Sequence, residues 1–222
     1  MYPPFADRTE AGRLLAESLA QRPRADCVVL ALPRGGVPVA VPVAQRVGAP
    51  LDVFVVRKLG VPGHEELAMG AVASGGARVL NDDVVQMLDI PPDVIERVAA
   101  RELAEVERRE IAYRDGYRDG RPPTPLRSRK VILIDDGLAT GATMRAAIAA
   151  VSSFRPARIV VAVPVGSSET CAELAAGGHV SEVVCVAQPE PFMAVGYWYR
   201  DFRTVDDTQV RALMGLGAPE RD

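Results

Sequence analysis

Val131-Ile-Leu-Ile-Asp135-Asp136-Gly137-Leu-Ala-Thr140-Gly141-Ala-Thr143-Met144 lies past the middle of the 222-residue chain. An apolar run delivers two adjacent carboxylates, and a turn of Gly and Thr then opens a helical pattern. Each part has a chemical use. Glycines let backbone amides approach an anion closely, and a helix N-terminus adds a partial positive charge. Thr140 and Thr143 add hydroxyl donors. Two carboxylates beside a phosphate would repel it unless they face sugar hydroxyls or a divalent cation. Together these features describe a site for a phosphorylated sugar with a free diol. A purely structural role, capping the helix, needs only one Asp. The Lys of a P-loop is missing, and no GxGxxG or GxSxG occurs.

Working outward, the same alternation repeats. The apolar run CVVLALP (27–33) ends in Arg-Gly-Gly and suits a strand buried on both faces. A helix is expected over 37–47, bent or confined by Pro38 and Pro42, and a second strand over 52–56. Gly60 to Glu66 reads as a mobile loop, with short strands at 68–73 and 77–80. Helical spacing covers 93–114, after which the tandem YRDGYRDG (113–120) and the Pro-rich 122–125 read as a linker. Strands at 131–135, 158–164 and 182–187 then alternate with helices at 142–153 and 168–176. Asp7 to Glu10 reads as a capping box for a first helix, and Asp206 or Asp207 opens a last one. Such alternation means right-handed βαβ units and a doubly wound α/β sheet.

Composition narrows the class. With 48% hydrophobic residues the chain can bury a core without disulfide or metal staples, and 19 glycines and 18 prolines imply many tight turns. A net charge of −3 argues against a nucleic-acid partner. Cys27, Cys171 and Cys185 form no CxxC pair, and two histidines, His64 and His179, make no zinc constellation. No signal peptide or run of 18 apolar residues is seen, so a cytoplasmic protein without a membrane span is expected.

The strand–DD–GLATGAT–helix segment resembles the 5-phosphoribosyl-1-pyrophosphate (PRPP) motif of the type I phosphoribosyltransferases at all 13 positions from Val131 to Thr143. Pro33-Arg34-Gly35-Gly36 is similar to that family's pyrophosphate loop, Arg57-Lys58 to its basic pair, and 59–67 stands where its flexible lid does. More narrowly, VVRKLGVPGHEELAMGAVA (55–73) with AVGYWYRDF (194–202) resembles a bacterial branch of the family, and the likeness covers most of residues 5–214. The resemblance implies one domain over 1–222, a mostly parallel sheet of order 3-2-1-4-5-6, and a hood from 81–125 plus 188–222. It also implies a homodimer.

The resemblance further implies a Mg2+-dependent transfer of the phosphoribosyl group of PRPP to a nitrogen acceptor, a nucleobase or related heterocycle, with release of pyrophosphate. Asp135 and Asp136 would hold the ribose hydroxyls and, through water, the Mg2+. Gly137, Leu138, Ala139, Thr140, Gly141, Ala142 and Thr143 would cradle the 5′-phosphate, and Arg34, Gly35, Arg57 and Lys58 would stabilise the departing pyrophosphate. Family members acting on hypoxanthine and guanine carry an Asp where this chain has Ala139, which weakens an oxopurine assignment.

Five of the aromatics crowd into 192–202. Phe192, Tyr197 and Trp198 are candidates to stack on the acceptor; the competing readings are hood core or a dimer contact. His64, Glu65 and Glu66 in the lid are candidate acid–base groups or idle surface. An alternative function is a non-catalytic sensor of PRPP or nucleotide with the same fold. The combination of Arg34 with Arg57-Lys58 favours catalysis, because a sensor of nucleoside monophosphate needs no pyrophosphate site.

Overall fold

The computed structural model describes residues 5–19, 26–114 and 123–216. The part of the tandem linker at 115–122 and the end of the hood segment at 217–222 lie outside them. Five strands, β1 (Cys27–Ala31), β2 (Leu51–Val53), β6 (Lys130–Ile134), β7 (Arg158–Val165) and β8 (Glu182–Ala187), form one parallel sheet. Their order is β2-β1-β6-β7-β8.

Strand alternation decides what each face packs against. Val29, Ala31, Ile132, Ile134, Val160 and Ala162 face one way. They meet α1 (Arg8–Leu19), α2 (Gly36–Val47), α4 (Pro92–Arg114) and α7 (Asp207–Leu216). Val28, Leu30, Val131, Leu133, Ile159, Val161 and Val163 face α5 (Ala142–Ser153) and α6 (Ser168–Ala176) on the other side. Both faces are covered, so the strands carry continuous apolar runs. Each fully buried aliphatic side chain contributes roughly 1.5–3 kcal/mol. The expected doubly wound sheet is present.

Its order departs from expectation in one respect. Order 3-2-1-4-5-6 puts a further strand beyond β2, and this sheet has none among the described residues. The stretch that follows β2 instead pairs with itself. β3 (Val56–Val61), β4 (His64–Ala73) and β5 (Ala77–Leu80) form a separate antiparallel sheet, and α3 (Asp82–Met87) follows it.

The expected loop over 60–66 is therefore a hairpin, with Val61 opposite His64 across Pro62-Gly63. Leu59 and Val61 are buried and alternate inward, which ties this hairpin to the core. Register irregularities between Leu59 and Val61 explain why the alternation is hard to read in sequence. The expected 52–56 strand is divided correspondingly between β2 and β3.

Helix ends follow local chemistry. The Asp7 carboxylate accepts from the Glu10 amide, and Glu10 reaches back to the Ala6 amide rather than to Asp7. Asp206 and Gln209 exchange side-chain and backbone bonds at the start of α7. At the crossing of α1 and α2, a methyl group on Gly12 would stand 2.6 Å from Pro42 Cγ, so only glycine permits this approach.

From β1 the chain leaves through α2 toward β2, and from β6 through α5 toward β7. The two connections run in opposite directions, which opens a crevice at the carboxyl ends of β1 and β6.

Candidate functional site

The loops after β1 and β6 meet in that crevice. The 33–36 loop lies directly on the diacid. A methyl group on Gly35 would overlap the Asp136 carboxylate, 2.6 Å from its Cγ, and one on Gly36 would stand 2.6 Å from the Ile134 carbonyl oxygen. The Arg34 side chain, 44% exposed, reaches Asp207 of α7 at 3.6 Å. The Pro33–Arg34 peptide is cis.

Asp135 and Asp136 stand in the same crevice. The Asp136 amide donates to Asp135 Oδ1 at 2.8 Å. Burial, and then the charge of Asp136, push the Asp135 carboxyl well above the usual carboxylate range. Burial also raises Asp136, opposed by the Arg8 guanidinium, whose Nε donates to Asp136 Oδ2 at 2.8 Å.

The raised Asp135 value has a consequence for stability. A native-state value above the unfolded one means that the ionised site costs stability as pH rises through the native value. Asp135→Asn removes that cost and keeps an oxygen for the Asp136 amide. Without ligand, the variant is expected to melt roughly 2–4 °C above wild type near neutral pH, the shift that about 1 kcal/mol produces at this chain length. The gap should close below about pH 4, where the carboxyl is protonated in both states. Calorimetric melting across pH checks it; a variant that melts lower at neutral pH would remove the burial cost.

Past the acids, the loop is pinned from beneath and open above. Leu138 is buried, its amide donating to the Val165 carbonyl and its carbonyl accepting from the Ser167 amide. Its side chain is therefore an anchor. The Ala139 carbonyl accepts from the Thr170 hydroxyl at 2.7 Å. Gly141 precedes α5 at φ 73°, where a side chain would be strained. The first amides of α5 have no intrahelical acceptor, as at any helix N-terminus.

Two clefts adjoin this loop. One of about 430 Å3 is lined by Thr143, Arg57, Lys58, Glu65, Arg101 and Glu102, among others. The other, of about 650 Å3, is lined by Thr140, Ala142 and Arg145 together with β4, β5 and Asp82-Asp83. The structure thus brings Arg57 and Lys58 into one cleft with Thr143, and sets Thr140 in the other.

Arg57 is already paired: its Nη2 lies 2.6 Å from Glu102 Oε2. Glu102 is buried and also meets Arg101 at 2.9 Å. His64 and Glu65 are exposed at the hairpin tip. The Glu65 carboxylate accepts from the Gly63 amide, and backbone hydrogen bonds hold it below the usual range.

Sequence reasoning missed Arg8 and Glu102 as parts of the site, and it placed Tyr199 and Phe202 in the 192–202 aromatic cluster without a role beside the diacid. Arg8 is buried under the Phe202 ring, Cζ 3.8 Å from the centroid, and also donates to the Arg203 carbonyl. The Tyr199 hydroxyl donates to the Asp136 carbonyl, and burial pushes its ionisation well up. The Val195 side chain closes over Gly137. The 192–202 aromatics therefore divide. Tyr199 and Phe202 brace the diacid loop, while Phe192 and Trp198 pack against a small cluster with Phe5, Val165 and Ala187. Tyr197 is 71% exposed. A composition signal marked these aromatics; nothing in sequence marked Arg8.

Among the described residues no three His, Cys, Asp or Glu side chains converge as a metal cage, and no helix is long and apolar enough to cross a membrane.

Comparison with known proteins agrees with this fold. A crystal structure of TT1426 from Thermus thermophilus is 44% identical and superposes with a TM-score of 0.85, covering 97% of this chain and all of that one. A Mycobacterium tuberculosis (strain H37Rv) protein, provisionally named phosphoribosyl transferase Rv0571c, is 46% identical over 210 residues. Those residues are 95% of this chain but 46% of the relative, so the chain spans about half that protein's length. The family model described as phosphoribosyl transferase domain matches residues 7–177, which contain β1, the diacid, the phosphate-type loop and both basic segments. A match of that extent, over the crevice and both loops that line it, makes this chain a member of the phosphoribosyl transferase family.

Proposed function

We propose that the chain transfers the 5-phosphoribosyl group of PRPP to a nitrogen acceptor, a nucleobase or related heterocycle, and releases pyrophosphate. The observation that carries this reading is the contact of Gly35 with the Asp136 carboxylate. It sets a loop suited to pyrophosphate against a pair suited to a ribose diol, at the topological switch point. The α3–α4 region and residues 188–216 supply the hood over this crevice.

Asp135 and Asp136 bind the ribose hydroxyls. The amides that open α5, with Thr140 and Thr143, hold the 5′-phosphate. Arg34, Arg57 and Lys58 stabilise charge that develops on the departing pyrophosphate as the C1′–O bond breaks and the acceptor nitrogen attacks. To do so, Arg34 exchanges Asp207 for the ligand, and Arg57 divides its donors between Glu102 and the ligand. Positioning supplies much of the rate.

Two carboxylates are a fitting hard-oxygen set for Mg2+, which keeps water and ligand phosphates in its shell. Asp135 and Asp136 would hold it through water, and it would supply charge neutralisation to the pyrophosphate.

A panel of bases and small amines with PRPP and Mg2+, followed by pyrophosphate release, tests the reading. Release with one acceptor is expected; tight PRPP binding without release would favour the sensing alternative. Within the site, Arg34→Ala is expected to retain ribose 5-phosphate binding while losing at least about tenfold in PRPP affinity. Equal loss of both ligands in calorimetry would place Arg34 elsewhere.

A further inference from the structure

Among the described residues Arg8 is the one buried Lys or Arg, its side chain 10% exposed. An unpaired buried guanidinium would be strongly destabilising, so its partners explain its presence. They come from segments remote in sequence: Asp136 Oδ2 at 2.8 Å, the Arg203 carbonyl at 2.9 Å, and the faces of Phe202 and Tyr199. The frame around it is fixed by backbone bonds. The Phe5 amide donates to the Trp198 carbonyl, and the Arg200 and Asp201 amides donate to Phe5 and Ala6. Asp7 caps α1 and so sets Arg8 as its first residue.

The Asp136 carboxylate is thereby wedged. Its Oδ2 takes the guanidinium on one side and lies against Gly35 on the other, while Tyr199 holds its backbone carbonyl. A charge-assisted bond of this kind fixes orientation as well as charge. Without it, two adjacent carboxylates would face an anionic sugar with no cation among the described residues in direct contact with either.

We propose that Arg8 is a positioning residue of the diol site: it holds the Asp136 carboxylate in the orientation that receives the ribose hydroxyls. The inference rests on the ribose-diol reading above.

Titration calorimetry with Mg2+ tests it, using ribose 5-phosphate, which carries the diol, and inorganic pyrophosphate, which does not. Arg8→Gln is expected to weaken ribose 5-phosphate by at least about tenfold. Pyrophosphate should stay within about twofold of wild type. In an Asp136→Asn background, Arg8→Gln should cost nothing further, because Arg8 acts through that carboxylate. Equal weakening of both ligands, or the same ribose 5-phosphate loss in both backgrounds, would overturn the proposal in favour of a purely structural Arg8.

Should Arg8→Gln fail to fold, Arg8→Lys keeps the cation and loses the planar fork. It is expected to lose ribose 5-phosphate affinity severalfold and spare pyrophosphate; wild-type affinity for both would overturn the positioning role. Wild-type protein that fails to bind ribose 5-phosphate would remove the diol reading and this proposal with it. Binding that Arg8→Gln leaves intact would remove Arg8 alone.

Discussion

Gly35→Ala is expected to lower kcat/KM for PRPP about a hundredfold, because a displacement near 1 Å at a reacting site costs on that order. The glycine is required for space. Its φ of −62° and ψ of −35° suit any residue, but a methyl group there overlaps the Asp136 carboxylate. That carboxylate cannot swing away freely, since Arg8 holds Oδ2 from the other side. Either the 33–36 loop or the diacid must move, and both belong to the proposed site. The fold should lose about 1–3 kcal/mol as well, the usual cost of overpacking.

Gly12→Ala separates the two effects. It overpacks the α1–α2 crossing against Pro42 and Val39, so it should lower Tm while leaving the activity of the folded fraction near wild type. If Gly35→Ala behaved like Gly12→Ala, the contact between the two loops would be a packing feature without functional weight.

The double variant Asp135→Asn/Asp136→Asn is expected to bind PRPP at least about tenfold more weakly, which is about 1.4 kcal/mol. The asparagines keep shape and some hydrogen bonding but lose the charge that accepts hydroxyl protons and attracts Mg2+. Arg8 is left buried without its anion, a further cost in this variant. The outcome therefore pairs with the Asp135→Asn melting experiment. The single variant should gain stability near neutral pH, where burial had raised the Asp135 carboxyl, and the double variant should return part of that gain. Unchanged PRPP affinity by calorimetry would remove the diol assignment.

Much of the fold was legible because burial on both faces of a parallel sheet leaves an unambiguous signal. The helices expected over 142–153 and 168–176 and the strand at 182–187 have the observed bounds, and the 131–135 strand is shifted by one residue to Lys130–Ile134. Where a strand is short, or its register slips, the signal fades. Residues 52–56 divide between two sheets, and Leu59-Gly60-Val61 pairs irregularly. The Gly60-Val61-Pro62-Gly63 stretch reads as a loop in sequence, yet here Pro62-Gly63 is the turn of a hairpin in which Leu59 and Val61 are buried.

The candidate site shows the same division. Sequence by itself determined its chemical inventory: the diacid at the end of an apolar strand, the Gly–Thr turn into a helix, the Arg–Gly–Gly loop and the Arg–Lys pair, all within local stretches where chemistry and spacing are read together. Only the tertiary structure decided that Arg8 from α1 and Tyr199 close on Asp136, that Phe202 covers Arg8, and that Glu102 of α4 holds Arg57. The pairs Arg8–Asp136, Tyr199–Asp136 and Arg57–Glu102 are separated by 128, 63 and 45 residues. No local pattern encodes such pairs, because they are selected by burial: a charge enclosed by the folded chain must find its counter-charge wherever the topology brings one.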